Sequence, residues 1–309
     1  MKLSQTTKEI LQIVVFLVVV GILLTAFVIY PLGETKDQFA RPDIEAYVNE
    51  DTVIVNDPAS WTSAGFAVDT FKLEVDLYHM LACLRLEPDS AVPVTGTAIL
   101  VPHEDYGRDS LQGLAQALLA SGKHVIVYDQ RSTGLTTGSY RGMGVLESTD
   151  LAQLVSHSGI HEWIKPPLTV IGYGLGADAA ILAAAEDQRI EQVIAVEPYL
   201  STERLLDVYK EKHESYWIPM YRTVMFWWYK MRSSNAPEYR DVESLEPVVC
   251  ETWLFTAATN DHVEKLKEIS PQDLLRTETV ESASINDILP ILKNAAGVED
   301  SSNQTANGE

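Results

Sequence analysis

Short apolar runs and amphipathic segments alternate along the middle of the chain. Between two of the runs, apolar positions repeat with helical spacing, as at Leu111, Leu114 and Leu118. Because uninterrupted apolar strands separated by amphipathic helices are typical of a sheet covered on both faces, we predict an α/β fold with a mostly parallel sheet of about eight strands. The predicted strands are 71–75, 80–86, 97–102, 125–128, 168–171, 192–196, 252–257 and, more weakly, 277–281. The predicted helices follow Ser110 up to Gly122 and cover 146–156, 175–186 and 288–295.

The beginning of the chain has a different pattern. No charged residue lies between Glu9 and Glu34, and a helix over this run is long enough to cross a hydrocarbon layer of about 30 Å. A cleaved signal peptide is the alternative, but its apolar region is usually shorter, and neither an A-x-A site nor a lipoprotein cysteine follows the run. We therefore predict a single-pass transmembrane anchor at 10–30. Because Lys2 and Lys8 precede it, the N-terminus 1–9 is expected in the cytoplasm and the body outside.

The composition of the remaining chain divides it into a connector, a body and a tail. Residues 31–67 contain prolines and a glycine without a sustained period and are predicted to be a connector. The α/β body is predicted at 68–296, with an insert at 201–250. The tail 297–309 has no large apolar residue apart from Val298 and is predicted to be disordered.

The charge of the chain narrows the possible partners. Lys and Arg number 23 against 44 Asp and Glu, which gives a net charge of −21. Nucleic acid is excluded as a general partner because phosphate contacts need Lys and Arg. The acidity favours solubility, with a surface for a basic partner as the alternative. Of the two cysteines, Cys83 is predicted to be a buried packing residue, and a disulfide with Cys250 is the less favoured alternative.

Polar residues follow several of the predicted strands. In parallel sheets ligands bind beyond the carboxyl ends of the strands, so the loops there should converge on one cleft. A metal site of two histidines and one carboxylate is conceivable there, but no spacing such as H-x-x-E-H supports it, and neither a metal nor a cofactor is predicted. Asp129 and Arg131 are alternatively a structural pair or a brace of their loop. The cleft candidates are His103, Asp129, Tyr173, Glu197 and His262.

Three stretches resemble the α/β-hydrolase superfamily, most closely its serine-aminopeptidase and esterase-like branch. They read LAQALLASGKHVIVYDQRSTGLTTGS, LTVIGYGLGADAAILAAAED and SASINDILP. Their order and spacing imply the α/β-hydrolase fold, with the second stretch at the place of the nucleophile elbow. In the family that elbow reads G-x-S-x-G, because a tight turn of small residues exposes the nucleophile.

The catalytic residues that the resemblance implies are missing. Gly174 stands at the nucleophile position and Ile285 at the histidine position, so only Asp261 remains of the triad. The oxyanion donors would be the backbone N–H groups of Leu175 and Glu104, and the Glu104 carboxylate could fold back onto that site or repel an oxyanion. Loss of nucleophile or histidine costs such an enzyme roughly a millionfold in turnover. We therefore predict a pseudo-hydrolase that binds a ligand, lipid or protein partner. The alternatives are an active hydrolase of esters or peptides with atypical residues, and a structural scaffold.

The insert 201–250 lies where the family places its lid. Seven of the fourteen residues 216–229 are aromatic, and cations border them. A lid that packs an aromatic face over the cleft is predicted. An interfacial helix, with aromatic rings at the headgroup level, and a protein-partner surface are the alternatives. The aromatic candidates are Trp217, Tyr221, Trp227 and Trp228.

Overall fold

The computed structural model describes residues 5–30, 58–76, 79–138, 140–218, 220–232, 248–256, 261–271, 273–280 and 290. The chain divides into two compact units. The smaller consists of residues 1–40 and 203–236, and the larger of residues 41–202 and 237–309.

An eight-stranded sheet forms the larger unit. The strands run in the order β1-β2-β4-β3-β5-β6-β7-β8. β2 is antiparallel to both β1 and β4, and the other neighbours are parallel, so the predicted fold class is confirmed. The strands are β1 Val68–Asp76, β2 His79–Leu86, β3 Gly96–Val101, β4 Lys123–Tyr128, β5 Leu168–Tyr173, β6 Gln192–Val196, β7 Glu251–Thr256 and β8 Leu275–Thr279.

Eight α-helices lie within the described residues. A π-helical turn, Thr25–Ile29, follows the first, and 3₁₀ turns at Arg108–Leu111 and Ser215–Trp217 precede the third and the seventh. The α-helices are α1 Gln5–Leu24, α2 Pro58–Ser63, α3 Gln112–Ala120, α4 Val145–Ile160, α5 Leu175–Glu186, α6 Thr202–Lys212, α7 Tyr221–Arg232 and α8 Asp261–Ile269.

Two hydrophobic clusters pack against the two faces of the sheet, as alternation along the strands requires. Ile99, Val101 and Val170 join one cluster with residues of α4 and α5. Ala98 and Leu100 join the other, with residues of α3. Both cysteines are buried and free, so no disulfide joins Cys83 and Cys250.

Two local predictions need correction. Ser110 does not cap a helix: its hydroxyl donates to the Gly107 carbonyl at 2.8 Å, and α3 begins only after the 3₁₀ turn. The predicted connector 31–67 contains α2, whose Trp61 is fully buried and donates its indole N–H to Asp109 at 2.7 Å. A hydrogen bond between residues this far apart in the chain leaves no periodic pattern in the local sequence. The tail 297–309 and, except for residue 290, the last predicted helix lie outside the described residues.

The smaller unit contains α1, the π-turn, α7 and all but the first residue of α6. The large apolar side chains described along α1 are exposed, apart from the half-buried Val20. Within the described part of the chain, no helix is both long enough and apolar enough to cross a membrane. In α7, Tyr221, Met225 and Tyr229 are buried at a spacing of four residues, whereas Trp227 is exposed.

Candidate functional site

The turn between β5 and α5 has the backbone of a nucleophile elbow. Gly174 has φ 58° and ψ −123°, a combination that only glycine adopts without strain. A Cβ on Gly172 would lie 2.2 Å from the Gly176 carbonyl oxygen, and one on Gly176 would lie 2.6 Å from the Val101 carbonyl oxygen. The turn therefore requires small residues at 172 and 176, as an elbow does.

The Glu104 carboxylate occupies the donor that would stabilise an oxyanion. Its side chain is buried, and Oε2 accepts the backbone N–H of Leu175 at 2.9 Å. Oε1 accepts the Tyr199 hydroxyl at 2.6 Å. Leu175 follows the nucleophile position, so its N–H is the group that the elbow aims at a developing negative charge. Here that N–H is already bonded to an anion of the chain itself.

The space above Gly174 is also filled. A Cβ at this position would lie 2.4 Å from His103 Cδ2 and 2.7 Å from Glu104 Oε2. The His103 ring packs against Tyr106 and Tyr173, with 4.8 Å between ring centres in each case. Its Nδ1 accepts the backbone N–H of Asp105 at 3.0 Å, so Nδ1 carries the lone pair. The elbow therefore leaves no room for a nucleophilic side chain unless His103 or Glu104 moves.

Tyr173 lies under this cluster at the carboxyl end of β5. Burial raises the pKa of its phenol to about 12, and the neighbouring Tyr106, Glu197 and Glu104 act in the same direction. Glu197 follows β6 with φ 51°, and its N–H donates to the Phe255 carbonyl at 2.7 Å. Because the Tyr173 phenol stays protonated at neutral pH, it cannot act as a general base there.

Asp129 connects the loop after β4 to the segment that contains Arg108. Its buried carboxylate lies 3.4 Å from the Arg108 guanidinium and accepts the Leu135 N–H at 3.0 Å. The predicted loop brace is present, but its partner is Arg108, because Arg131 instead binds Asp150 at 2.6 Å. Asp129 holds the loop after β4 to the chain around Arg108, so its contacts do not make it a ligand-binding residue.

Other predicted site residues are only partly described. Asp261 is the first residue of α8 and His262 the second, but their side chains lie outside the described part of the structure. The same holds for the side chains of Trp217 and Trp228, and Ile285 is not described at all. The roles assigned to these residues, and the covering of the cleft by the insert, stay predictions.

Two partners of Glu104 were not predicted from the sequence. Tyr199, which bonds its carboxylate, follows β6 by three residues, so the rule that ligands bind at strand ends could have found it. Arg141 donates to the Glu104 carbonyl at 2.8 Å from a loop with no periodic signal.

A possible cation cluster overlaps the same residues. Ligand atoms of His103, Glu104 and Asp105 lie within 4.8 Å of one another. However, His103 Nδ1 and both Glu104 oxygens already accept hydrogen bonds from protein donors. The cluster is satisfied without a metal ion, and we assign none to it.

Comparison with known proteins identifies the fold. No protein-family model and no curated protein matches the chain. Among solved structures, an esterase from Pyrococcus furiosus is 15% identical, with 78% of this chain and 92% of that one covered and a TM-score of 0.58. A 2,6-dihydroxy-pseudo-oxynicotine hydrolase is 14% identical, with coverage of 78% and 71% and a TM-score of 0.60. A lidless α/β serine hydrolase from Xanthomonas campestris is 15% identical, with coverage of 74% and 94% and a TM-score of 0.50. The chain has the α/β-hydrolase fold.

Proposed function

We propose that this protein is a non-catalytic member of the α/β-hydrolase fold that binds a ligand or partner and does not hydrolyse it. One observation carries the proposal: the Glu104 carboxylate accepts the Leu175 N–H beside a glycine at the nucleophile position. The elbow thus has neither the group that attacks nor a free donor for the charge that attack creates.

Electrostatics argue against acyl transfer at this position even if water attacked. An oxyanion near the Leu175 N–H would lie within a few ångströms of the buried Glu104 carboxylate. Two like charges at such separation in a water-poor site repel strongly. Removal of a single oxyanion donor already costs hydrolases about 10²–10³ in turnover. Here the donor is taken and a repelling charge is added.

The same geometry favours a binding role. The elbow, Glu104 and Tyr199 form a buried hydrogen-bonded frame. Beside it, His103 packs against Tyr106, which is half exposed and therefore offers an aromatic surface on a rigid support. Binding sites typically combine such aromatic surfaces with a few fixed polar groups.

Fluorophosphonate labelling of the full-length protein in detergent, measured by intact mass, tests the proposal. An active serine hydrolase of the same fold is the positive control. We expect no adduct on the wild-type protein. Stoichiometric labelling of any serine would overturn the non-catalytic assignment and identify the nucleophile.

A series of variants tests whether hydrolytic activity can be restored. Gly174→Ser with Ile285→His restores two triad positions but leaves the Glu104 carboxylate on the Leu175 N–H. We expect weak p-nitrophenyl ester hydrolysis only when Glu104→Ala is added to that pair. Equal activity with and without Glu104→Ala would show that Glu104 does not block the site.

A second proposal concerns attachment to a membrane. The uncharged part of α1, residues 10–24, rises only about 22 Å, but helical backbone continues through the π-turn to Tyr30. Residues 10–30 together rise about 30 Å, which matches a hydrocarbon layer. Apart from the half-buried Val20, the large apolar side chains described along this run are exposed, so lipid is the environment that suits them. We propose a single-pass anchor with the body on the extracytoplasmic side.

Carbonate washing and cysteine labelling test this second proposal. We expect the full chain to stay in the membrane fraction after the wash, and its release would overturn the anchor. Lys72→Cys adds an exposed thiol on β1, while Cys83 and Cys250 are buried and give little background. Labelling of Lys72→Cys by an impermeant maleimide in intact cells supports an outside body, and labelling only after lysis contradicts it.

We propose that the insert 201–250 contacts the lipid headgroups of a membrane. Trp227 in α7 and Met220 just before the helix are exposed, whereas Tyr221 and Tyr229 are buried. Lys230 lies nearby with its ammonium 5.6 Å from the Phe226 ring centre. Aromatic rings bordered by cations suit a lipid headgroup region. Trp227→Ala should weaken binding to vesicles of anionic phospholipid, and an unchanged affinity would contradict this role.

A further inference from the structure

His157 lies on the last turn of α4, and His161 is the residue directly after that helix, both far from the elbow. α4 starts beside the elbow, where a Cβ on Gly144 would lie 3.7 Å from the Leu175 side chain, and its 16 residues rise about 24 Å from there. His157 and His161 are four residues apart near its end, with 4.5 Å between ring centres. We propose that this pair binds a divalent transition-metal ion, with copper(II) preferred. Nothing in the proposed binding function of the elbow requires this site.

The spacing of the pair is that of a helical metal chelate. Side chains at i and i+4 lie on one face of a helix, one above the other. Two histidines at this spacing form the zinc-binding pair of H-E-x-x-H helices. The imidazole ring is the commonest metal ligand among side chains. Neither histidine follows a predicted strand, so neither was among the predicted cleft candidates.

The distance between the rings allows both to bind one ion. With a metal–nitrogen bond of about 2.0 Å, the ion lies about 3.2 Å from the ring centre. Two imidazoles at a right angle then have centres about 4.5 Å apart, and two at a tetrahedral angle about 5.2 Å apart. The observed 4.5 Å is no longer than either value, so the two rings are near enough to bind one ion. Copper(II) is preferred because a nitrogen site binds it more tightly than the other divalent first-row metal ions.

Aromatic neighbours hold both rings in place. His157 stacks on Phe71 with 5.8 Å between centres and 14° between planes. His161 stacks on Trp163 at 4.9 Å and 23°. Trp163 in turn packs edge-on against Phe71 at 4.9 Å. Because the rings are already restrained, an ion that binds them loses little affinity to side-chain ordering.

The neighbouring positive charges are neutralised. Arg85 lies over the Trp163 ring, but its guanidinium pairs with Asp69 at 2.9 Å and Glu87 at 3.0 Å. The net charge of −21 also favours a cation. His161 is exposed, so solvent can supply the remaining ligands of the ion.

Copper titration of the tag-free, full-length protein tests the proposal. Binding is followed by electron paramagnetic resonance and by quenching of tryptophan fluorescence, because Trp163 lies next to both rings. We expect one saturable copper site with a two-nitrogen tetragonal spectrum. His157→Ala and His161→Ala should each weaken binding at least about tenfold, since even outer-shell changes cost metal sites about 10–100-fold.

Two control variants separate this site from adventitious binding. His213→Ala removes an exposed histidine elsewhere and should leave the affinity unchanged. Trp163→Phe should abolish most of the quenching but keep the resonance spectrum. The proposal is overturned if neither His157→Ala nor His161→Ala lowers the affinity, or if no saturable binding occurs. Zinc binding as tight as copper binding would overturn the preference for copper.

Discussion

Buried carboxylates near the cleft edge of the sheet are held in two different ways. Asp129 and Asp150 each face an arginine, at 3.4 Å and 2.6 Å. Glu104 and Glu147 are held by uncharged donors. Glu104 accepts the Leu175 N–H and the Tyr199 hydroxyl, and Glu147 accepts two backbone N–H groups at 2.5 Å and 2.9 Å. Among the described residues, no lysine or arginine pairs with the Glu104 side chain.

We call a buried carboxylate that faces an arginine a brace. We call a buried carboxylate that fills an anion-binding position of the protein's own backbone a built-in ligand. A carboxylate that faces an arginine satisfies a charge, and removing either partner leaves the other buried and uncompensated. A carboxylate on backbone N–H groups occupies a place where a free anion would also bind. Glu104 is of this second kind and sits where hydrolases of this fold bind an oxyanion. The comparison predicts that damage to the braces unfolds the protein, whereas damage around Glu104 costs less.

Breaking a brace should have the largest effect. Arg108→Met removes the fully buried guanidinium beside Asp129 and also its bond to the Ala82 carbonyl. We expect a loss of about 3–5 kcal/mol in the free energy of unfolding, measured with urea. Adding Asp129→Asn should recover part of the loss, because the uncompensated charge disappears.

An exposed ion pair provides the matched control for that prediction. Arg222→Met removes a guanidinium that pairs with Glu203 and Asp207 on the surface. It should cost at most about 1 kcal/mol, because such pairs are screened by solvent. Equal losses for Arg108→Met and Arg222→Met would contradict the bracing role.

The helices and strands were predicted from the sequence better than the contacts of the buried carboxylates. α5 and β6 lie at the predicted residues, because continuous apolar runs and small-residue turns are local signals. The partner of Asp129 was predicted wrongly, since which of two nearby arginines reaches a carboxylate depends on the three-dimensional path of the loop. Glu104 was predicted at the oxyanion site from its place after β3, with a carboxylate that could fold back onto that site. Its second donor, Tyr199, lies 95 residues away in the chain, and no periodicity reports such a contact.

The second-largest loss of stability is expected from a substitution in the elbow, the turn between β5 and α5. Gly174→Ala places a Cβ 2.4 Å from His103 Cδ2 and forces a positive φ on a residue with a side chain. We expect a loss of about 2–3 kcal/mol of stability from strain and overlap together. In a His103→Ala background the overlap with the ring disappears, whereas the backbone strain and the 2.7 Å approach to Glu104 Oε2 remain. A cost that is identical in both backgrounds would show that His103 yields freely.

A smaller effect is expected at the hydroxyl donor of Glu104. Tyr199→Phe removes the 2.6 Å bond but leaves the Leu175 N–H in place. The expected loss is about 1–2 kcal/mol, because a hydrogen bond to a charged group is worth somewhat more than a neutral one. Thermal unfolding can measure it, with Tyr106→Phe at an exposed ring as the control. If Tyr199→Phe costs as much as Arg108→Met, the distinction between brace and ligand fails.

The smallest effect at neutral pH, and the most specific one, concerns Glu147. Burial raises the pKa of its carboxyl above the ordinary value of 4.5, although the backbone N–H groups of Gly142 and of Glu147 itself oppose this shift. The folded state therefore holds this proton more tightly than the unfolded state does. Its contribution to stability is fully present below pH 4.5 and is lost as pH rises through the raised pKa. Glu147→Gln cannot titrate, so it should flatten that decline.

At neutral pH the two effects of Glu147→Gln nearly cancel. The amide relieves the cost of a buried charge but leaves one N–H without an acceptor, so the net change should stay within about 1 kcal/mol. Urea unfolding between pH 4 and pH 8 measures the slope, and Glu74→Gln on the exposed edge of β1 controls for loss of one negative charge. A slope unchanged by Glu147→Gln would mean that its carboxyl does not hold its proton in the folded state. Glu147 would then be a charged brace that differs from Asp150 only in its donors.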